Sequence, residues 1–404
     1  LSCADARRSF WLDRDRCRLE VPTLFSDVSA EFLDLAHFIN EMIMAINKDE
    51  ISDVTDAVEN IYSLANRLIQ DELSREEILA TVKTLTYNEK DLVSVVEKAK
   101  SLTYSEPELA YTLAWLGHEI ARQIDSQSGQ ALCAFQMGSI QKARGQYQSA
   151  IDYYSESLGR FQSLGHQKNI AASLTQLGAL HIHLGQYEQA RDHLERALNI
   201  SDQHGYREYQ GVQLGNLGVI ALVEGDYPEA EKYLKAALEI AHEANDARNE
   251  AVWASSLGLA NRYQGNYQQA IVSFEQALTI YRGIGNRFGE SSALANLGII
   301  CNDLSDPVTA RRHLENALDI SRELADEQSI GTQLSQLGVV LADLGEYTQA
   351  QRHLEEALAI LHRVGDRRGE VADQRGRRAA ARRRALGGVV GGVEVVVGQV
   401  ADEA

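Results

Sequence analysis

Apolar and small residues recur along the middle of this chain in a pattern that predicts paired helices. In 171–184, Leu174, Leu177, Leu180 and Ile182 approximate one helical face. Gly185 then supplies a residue suited to the left-handed conformation that ends a helix. From Tyr187 to Gln203, the residues Ala190, Leu194, Ala197, Leu198 and Ile200 share a face, which predicts a second helix ended by Gly205. The first helix of each pair is termed helix A and the second helix B.

The same pattern returns every 40 residues. Gly138, Gly178, Gly218, Gly258, Gly298 and Gly338 hold that spacing without a slip. So do Ala150, Ala190, Ala230, Ala270, Ala310 and Ala350, and Leu158, Leu198, Leu238, Leu278, Leu318 and Leu358. A fourth series is Gly145, Gly185, Gly225, Gly265 and Gly345, with Ser305 in the vacancy. A fifth is Tyr147, Tyr187, Tyr227, Tyr267 and Tyr347, with Pro307 in the vacancy. Five coincident registers define six repeats, 131–170, 171–210, 211–250, 251–290, 291–330 and 331–370. Pro228 and Pro307 mark the first turn of helix B, where a missing N–H costs nothing. The repeated Gly and Ala predict a close approach of helices A and B, with Leu, Tyr and Phe filling the grooves. One such pair cannot bury both faces, so the expected fold is an all-α solenoid: a right-handed superhelix of stacked antiparallel helix pairs.

These residues carry a resemblance to the tetratricopeptide repeat family. Its Leu-Gly…Ala-x-x-x-Phe pattern stands here as Leu177-Gly178…Ala190-x-x-x-Leu194 and as Leu257-Gly258…Ala270-x-x-x-Phe274. The resemblance covers 131–370. It departs from the family at the fourth position, where the usual Trp is Ala134, Leu174, Leu214, Ala254, Leu294 and Leu334. The period is 40 rather than the usual 34, and the usual closing Pro is absent. The six extra residues are expected to lengthen helix B to a Gly-Asn or Gly-Asp ending, as at Gly285-Asn286 and Gly365-Asp366. The longer form is similar to the arrays of polarity adaptors, kinesin light chains and bacterial multidomain signalling proteins.

The register extends backwards. Ser105-Glu106-Pro107-Glu108-Leu109-Ala110 precedes Gly145-Gln146-Tyr147-Gln148-Ser149-Ala150 by 40 residues, so 91–130 reads as a degenerate seventh repeat. Residues 27–90 carry helical stripes, among them Ile61, Leu64 and Leu68, and read as an N-terminal helical bundle. Residues 23–130 hold 8 Lys+Arg against 20 Asp+Glu, which sets this region apart. A plain cap on the solenoid and a separate partner-binding bundle both fit it. Residues 1–26 form an uncertain leader. In 371–404 the glycine register is lost, and six Arg precede a Gly/Val-rich run. A basic cap, a functional basic arm and non-native sequence remain open for this tail. The chain starts at Leu1, which fits a fragment.

Charge and composition narrow the function. Lys+Arg number 39 against Asp+Glu 58, a net charge of −19, which disfavours a general nucleic-acid binder. Four Cys without a C-x-x-C spacing point to a reducing compartment and a cytoplasmic location. No apolar run approaches 18 residues, so no membrane span is expected. No phosphate-cradling G-x-x-x-x-G-K-[ST], G-x-S-x-G or H-E-x-x-H occurs. His193, His313 and His353 share a register, but imidazoles without Cys or carboxylate closure make a weak zinc site. Cys133 and Cys301 read as core. No enzyme, cofactor or metal is expected.

In the resembling family, helix A lines the concave side, and the residue two before the repeated Gly faces the groove. Here those residues are Gln136, Gln176, Asn216, Ser256, Asn296 and Gln336. A ladder of amides can pair with the backbone of an extended peptide, since an amide both donates and accepts. The amides can equally serve to join neighbouring helices. Flanking positions would supply specificity: Ser139, Val219 and Leu259 one after the Gly, and Lys142, Arg262 and Asn302 four after it. The groove is thus expected to be apolar in the middle with isolated cations at Lys142 and Arg262. The cation cluster of chaperone-tail binders is missing. The expected function is a non-enzymatic adaptor that binds a protein or peptide, with no nucleic acid and no membrane. Two alternatives remain. One is a regulatory sensor array cut from a larger signalling protein, such as a nucleotide-switch ATPase or a caspase-like protease. The other is a peptide-gated bacterial regulator.

Overall fold

The computed structural model describes residues 51–70, 72–84 and 87–365. The leader at 1–26, the start of the bundle at 27–50 and the tail at 371–404 lie outside the described residues. Sixteen helices and no strand occur among the described residues. They are α1 (Ile51–Ile69), α2 (Arg75–Val82), α3 (Glu89–Ser101), α4 (Pro107–Gln123), α5 (Gln127–Ala143), α6 (Tyr147–Leu164), α7 (Gln167–His183) and α8 (Tyr187–His204). Then follow α9 (Arg207–Glu224), α10 (Tyr227–Glu243), α11 (Ala247–Tyr263), α12 (Tyr267–Gly283), α13 (Arg287–Asp303), α14 (Pro307–Glu323), α15 (Glu327–Asp343) and α16 (Tyr347–Arg363). The chain divides between Ile220 and Ala221 into two compact units. From α3 to α8 and from α10 to α16, each helix packs on the next in sequence, the arrangement of a tetratricopeptide-type α-solenoid. In the first unit α1 also packs on α3 and α4.

The helices alternate as expected: α5, α7, α9, α11, α13 and α15 are helices A, and the even-numbered helices α6 to α16 are helices B. Helix A begins four residues earlier than the repeat frame placed it, at Gln167 rather than 171 in the second copy. In three copies the cap is the reason: Asp246, Asn286 and Asp326 accept from the backbone N–H three residues on, so they open helix A rather than close the preceding helix, as Asp226 and Asp306 open helices B. The residue before each takes the left-handed conformation. Gly185 does so at φ 71°, its N–H donating to Ile182 O at 2.9 Å while Gln186 N–H donates to His181 O at 2.8 Å. These two hydrogen bonds satisfy carbonyls that the helix end leaves open. Ser305 holds the same conformation at φ 67°, and Ala325 at φ 55°, where a Cβ is sterically penalised.

Helix A and helix B differ in burial. In α11 every residue from Ala251 to Asn261 is buried. In α8 only Ala190, Leu194, Ala197 and Ser201 are, and the rest of its circumference carries polar residues toward solvent. The repeated Ala of helix B is fully buried in all six copies. Opposite it, the repeated Gly of helix A leaves no room for a side chain. A Cβ at Gly338 would stand 2.6 Å from Leu354 Cγ and 3.2 Å from Ala350 O. Large side chains such as Trp253, Tyr154, Phe161 and Phe274 fill the spaces around these contacts. Each contributes on the order of 1.5–3 kcal/mol through burial. Cys133 is part of the core, whereas Cys301 is half-buried.

Candidate functional site

The six positions two before the repeated Gly share a register but not an environment. Gln136, Gln176, Asn216 and Ser256 are buried, while Asn296 and Gln336 are half-exposed. Several are engaged inside the chain. Gln136 Nε2 donates to Thr103 Oγ1 at 2.9 Å, tying α5 to the segment after α3. Gln176 Oε1 accepts from Lys142 Nζ at 3.0 Å, joining α7 to α5. Ser256 Oγ donates to Val252 O at 3.0 Å, and Asn296 Nδ2 to Ser292 O at 2.9 Å. Gln336 leaves one shielded atom, Oε1, without a partner.

The flanking positions divide in the same way. Ser139, Val219 and Leu259 are buried, and the Ser139 hydroxyl lies 2.9 Å from the Tyr154 hydroxyl. Lys142, Arg262 and Asn302 are half-exposed, and each reaches into the following helix A. Arg262 pairs with Asp303 at 3.4 Å, with side chains 14% and 22% exposed. It is therefore not the isolated cation that the sequence suggested. Asn302 Nδ2 donates to Asp343 Oδ2 at 3.2 Å. Burial pushes the Asp303 carboxyl above its ordinary range, and the Arg262 guanidinium opposes that shift.

Two sets of residues escaped the sequence reading. Asp303 and Asp343 occupy one register, five after the repeated Gly, and serve as acceptors for the position-four side chains of the preceding repeat. Gln213 and Gln333 share the register five before the Gly. Gln213 Nε2 donates to Thr175 Oγ1 at 3.0 Å and Gln333 Nε2 to Ser291 Oγ at 2.8 Å, so these amides join neighbouring helices A. The common register was the available signal in both cases. The partners lie 38 to 42 residues away, and sequence alone does not give the stagger between helices.

Taken together, α13 and α15 present one pattern twice. Ser292, Asn296, Ile299 and Asp303 stand at i, i+4, i+7 and i+11 on α13, and Thr332, Gln336, Val339 and Asp343 stand identically on α15. That spacing places each set on one helix face. All eight residues are at least partly exposed, in contrast to the buried counterparts Val252, Ser256 and Leu259 on α11.

The three histidines of one register are half-buried rather than on the open surface, and each has a shielded Nδ1 without a partner. The His193 ring stacks on His181 with centroids 5.2 Å apart. Burial holds the proton affinity of His193, His313 and His353 below the ordinary imidazole range. Among the described residues, no group of three or more His, Cys, Asp or Glu is placed to hold a metal ion. Nor is any described helix long and apolar enough to cross a membrane.

Paired helices, glycine-ended turns and the Gly-on-Ala contact define a helical-repeat protein. The tetratricopeptide repeat model matches residues 130–203, 212–283 and 289–363, more than half of the sequence, and the chain belongs to that family. Repeats of this family generally form protein-interaction scaffolds rather than catalytic sites. No curated protein matches the chain. Among solved structures it is similar to RapI in its apo form, with a TM-score of 0.55, 14% identity, and 68% of this chain and 99% of that chain covered. It is also similar to a Rap protein complexed with Competence and Sporulation Factor, with a TM-score of 0.50, 14% identity and coverage of 83% and 99%. A third structure is a Signal Transduction ATPase with Numerous Domains with a tetratricopeptide repeat sensor, from Pyrococcus horikoshii. There the TM-score is 0.51, the identity 13%, and the coverage 82% of this chain and 56% of that chain. At these identities the likeness establishes a common fold.

Proposed function

We propose that this protein is a non-enzymatic interaction scaffold that holds an extended peptide segment of a partner on its helix A face. The observation that carries this reading is the pair of half-exposed amides, Asn296 and Gln336, at one register on α13 and α15. An extended backbone offers alternating N–H and C=O groups, and an amide can meet either. The Rap protein complexed with Competence and Sporulation Factor supports ligand capture by a related fold. The sensor role of the repeats in the signal-transduction ATPase supports a second reading, in which such an array reports a ligand to another domain.

Of the twelve residues that sequence reasoning nominated, Asn296, Gln336, Arg262 and Asn302 carry the proposal, whereas Lys142 belongs to the first unit and donates to Gln176. Asn216, Val219, Ser256 and Leu259 are buried and act on packing. The test is a peptide-library pull-down, followed by titration of the best binder against Asn296→Ala/Gln336→Ala. Each neutral hydrogen bond contributes about 0.5–1.5 kcal/mol, so the double variant should bind roughly 5–150-fold more weakly. Its melting temperature should change little, since neither side chain is core. Unchanged affinity would remove these residues from the binding face.

A further inference from the structure

The helix A face of α13 and α15 engages most of its own polar groups. Arg262 pairs with Asp303, and Asn302 donates to Asp343. Asn296 Nδ2 donates to Ser292 O, and Thr332 Oγ1 to Gln328 O at 3.0 Å. A charged segment would have to displace one of these partners, so charge complementarity favours a neutral one. Gln336 differs. Its Oε1 is shielded and accepts from no donor in the chain, while the residue itself is half-exposed, so the Nε2 end is the one turned outward. The face thus offers a donor, and the complement of a donor is a carbonyl.

Among these polar groups stand two aliphatic side chains, Ile299 on α13 and Val339 on α15, both partly exposed and at one repeat register. The two helices touch directly. Packed helices lie roughly 8–10 Å apart, so Ile299 and Val339 form two apolar footholds at about that spacing. In a β-strand the side chains on one face are two residues apart, about 6.6 Å, which is too short, and those three apart face opposite sides. In an α-helix, side chains seven apart stand about 10.5 Å from each other, but the carbonyls are bonded within the helix. A polyproline II segment has three residues per turn and rises about 3.1 Å per residue, so every third side chain returns to one face after about 9.3 Å. Its carbonyls carry no internal hydrogen bonds. We infer that this face takes a neutral partner segment in the polyproline II conformation, with apolar side chains three residues apart on Ile299 and Val339 and a backbone carbonyl accepting from Gln336 Nε2. Such a segment is extended before it binds, which lowers the cost of ordering it. The inference rests on the proposed peptide-binding role of this face and adds the conformation and chemistry of the partner.

The experiment uses the full chain and three fluorescent dodecapeptides, (Val-Pro-Pro)4, (Ser-Pro-Pro)4 and (Val-Ser)6, titrated by anisotropy at low and high salt. The first is expected to bind tightest and not to weaken as salt rises. Each buried methyl is worth about a factor of four, so Ile299→Thr/Val339→Thr should weaken (Val-Pro-Pro)4 roughly 5–20-fold and leave (Ser-Pro-Pro)4 unchanged. Gln336→Met removes the donor and should weaken both proline peptides about 2–10-fold. Val272→Thr/Val308→Thr makes a similar change on α12 and α14, where those side chains are 65% and 69% exposed, and should alter nothing. Equal losses in the two double variants would assign binding to general apolar adhesion and overturn the inference. Tightest binding of (Val-Ser)6, or unchanged affinity in Ile299→Thr/Val339→Thr or in Gln336→Met, would overturn it too. If no probe bound while the library yielded a binder sensitive to Asn296→Ala/Gln336→Ala, the polyproline II partner would be refuted and the peptide-binding role would survive. If neither probes nor library bound, both would fall.

Discussion

Replacing Gly178 by Ala tests the close approach of helices A and B. A Cβ at this position would stand 2.6 Å from Leu194 Cγ, 2.9 Å from Leu194 Cδ2 and 3.3 Å from Ala190 O. Carbon atoms pack at about 3.5–4.0 Å, so the overlap with Leu194 approaches 1 Å. Leu194 is fully buried and has no open side to move toward. Overpacking of this kind costs about 1–3 kcal/mol. The Ala recovers about 0.8–1 kcal/mol of helix propensity. The net expectation is a destabilisation of about 1–2 kcal/mol. Leu194→Ala alone should cost more, about 2–5 kcal/mol, through the cavity it leaves. In that background the two severe contacts disappear and only the 3.3 Å approach to Ala190 O remains. Gly178→Ala should then be neutral or stabilising by up to about 1 kcal/mol. Urea denaturation of the four proteins, followed by far-ultraviolet circular dichroism, gives the cycle, with a coupling of at least about 1 kcal/mol. An identical midpoint shift from Gly178→Ala in both backgrounds would refute the packing argument.

Further expectations follow the same logic. Ala325→Gly removes a Cβ from a left-handed turn residue and should raise the thermal midpoint, by about 0.5–1 kcal/mol of stability; a lower midpoint would contradict the strain assigned there. Ala270→Glu places an unpaired charge in a fully buried helix contact and should cost about 3–5 kcal/mol, and a variant that melts like the parent would overturn the repeat assignment. The lowered proton affinities of His193, His313 and His353 mean that the unfolded chain binds more protons. Their stability contribution is complete above the ordinary value of 6.5 and is lost as pH falls through the lower folded values. His313→Gln/His353→Gln should flatten the decline of the melting temperature between about pH 7 and pH 5; an unaltered decline would show that other groups set it.

The repeat was legible because its signals are local. A glycine or proline acts through its own backbone, so Gly185, Gly205 and Pro307 announced the helix ends without any knowledge of packing. Ser305 shows the limit of that rule: a residue with a Cβ takes the same left-handed turn, and the register rather than the residue type located it. The candidate site was less legible. Five amides in one register suggested a uniform ladder, yet Gln136 bonds Thr103 while Asn296 stands half-exposed. Whether a helix A side chain is covered depends on the stagger and tilt of its neighbours, which no single repeat encodes. The pairing of Arg262 with Asp303 crosses from one repeat to the next, and the spacing of 41 residues is not a multiple of anything visible in the sequence.

The hydrogen bonds that join helices bear on how the chain folds. Those named above between side chains span from 15 residues, at Ser139 and Tyr154, to 42, at Ser291 and Gln333. Closing such loops costs little chain entropy, and each doubling of loop length would add only about 0.6 kcal/mol. A topology whose partners are so near in sequence has low contact order and condenses fast. Any well-packed helix pair can serve as a nucleus, with neighbours adding on either side. Mutations at the Gly-on-Ala contacts therefore have a kinetic signature that depends on their place in the array. In the pair that forms first they slow folding, and in pairs added later they mainly speed unfolding.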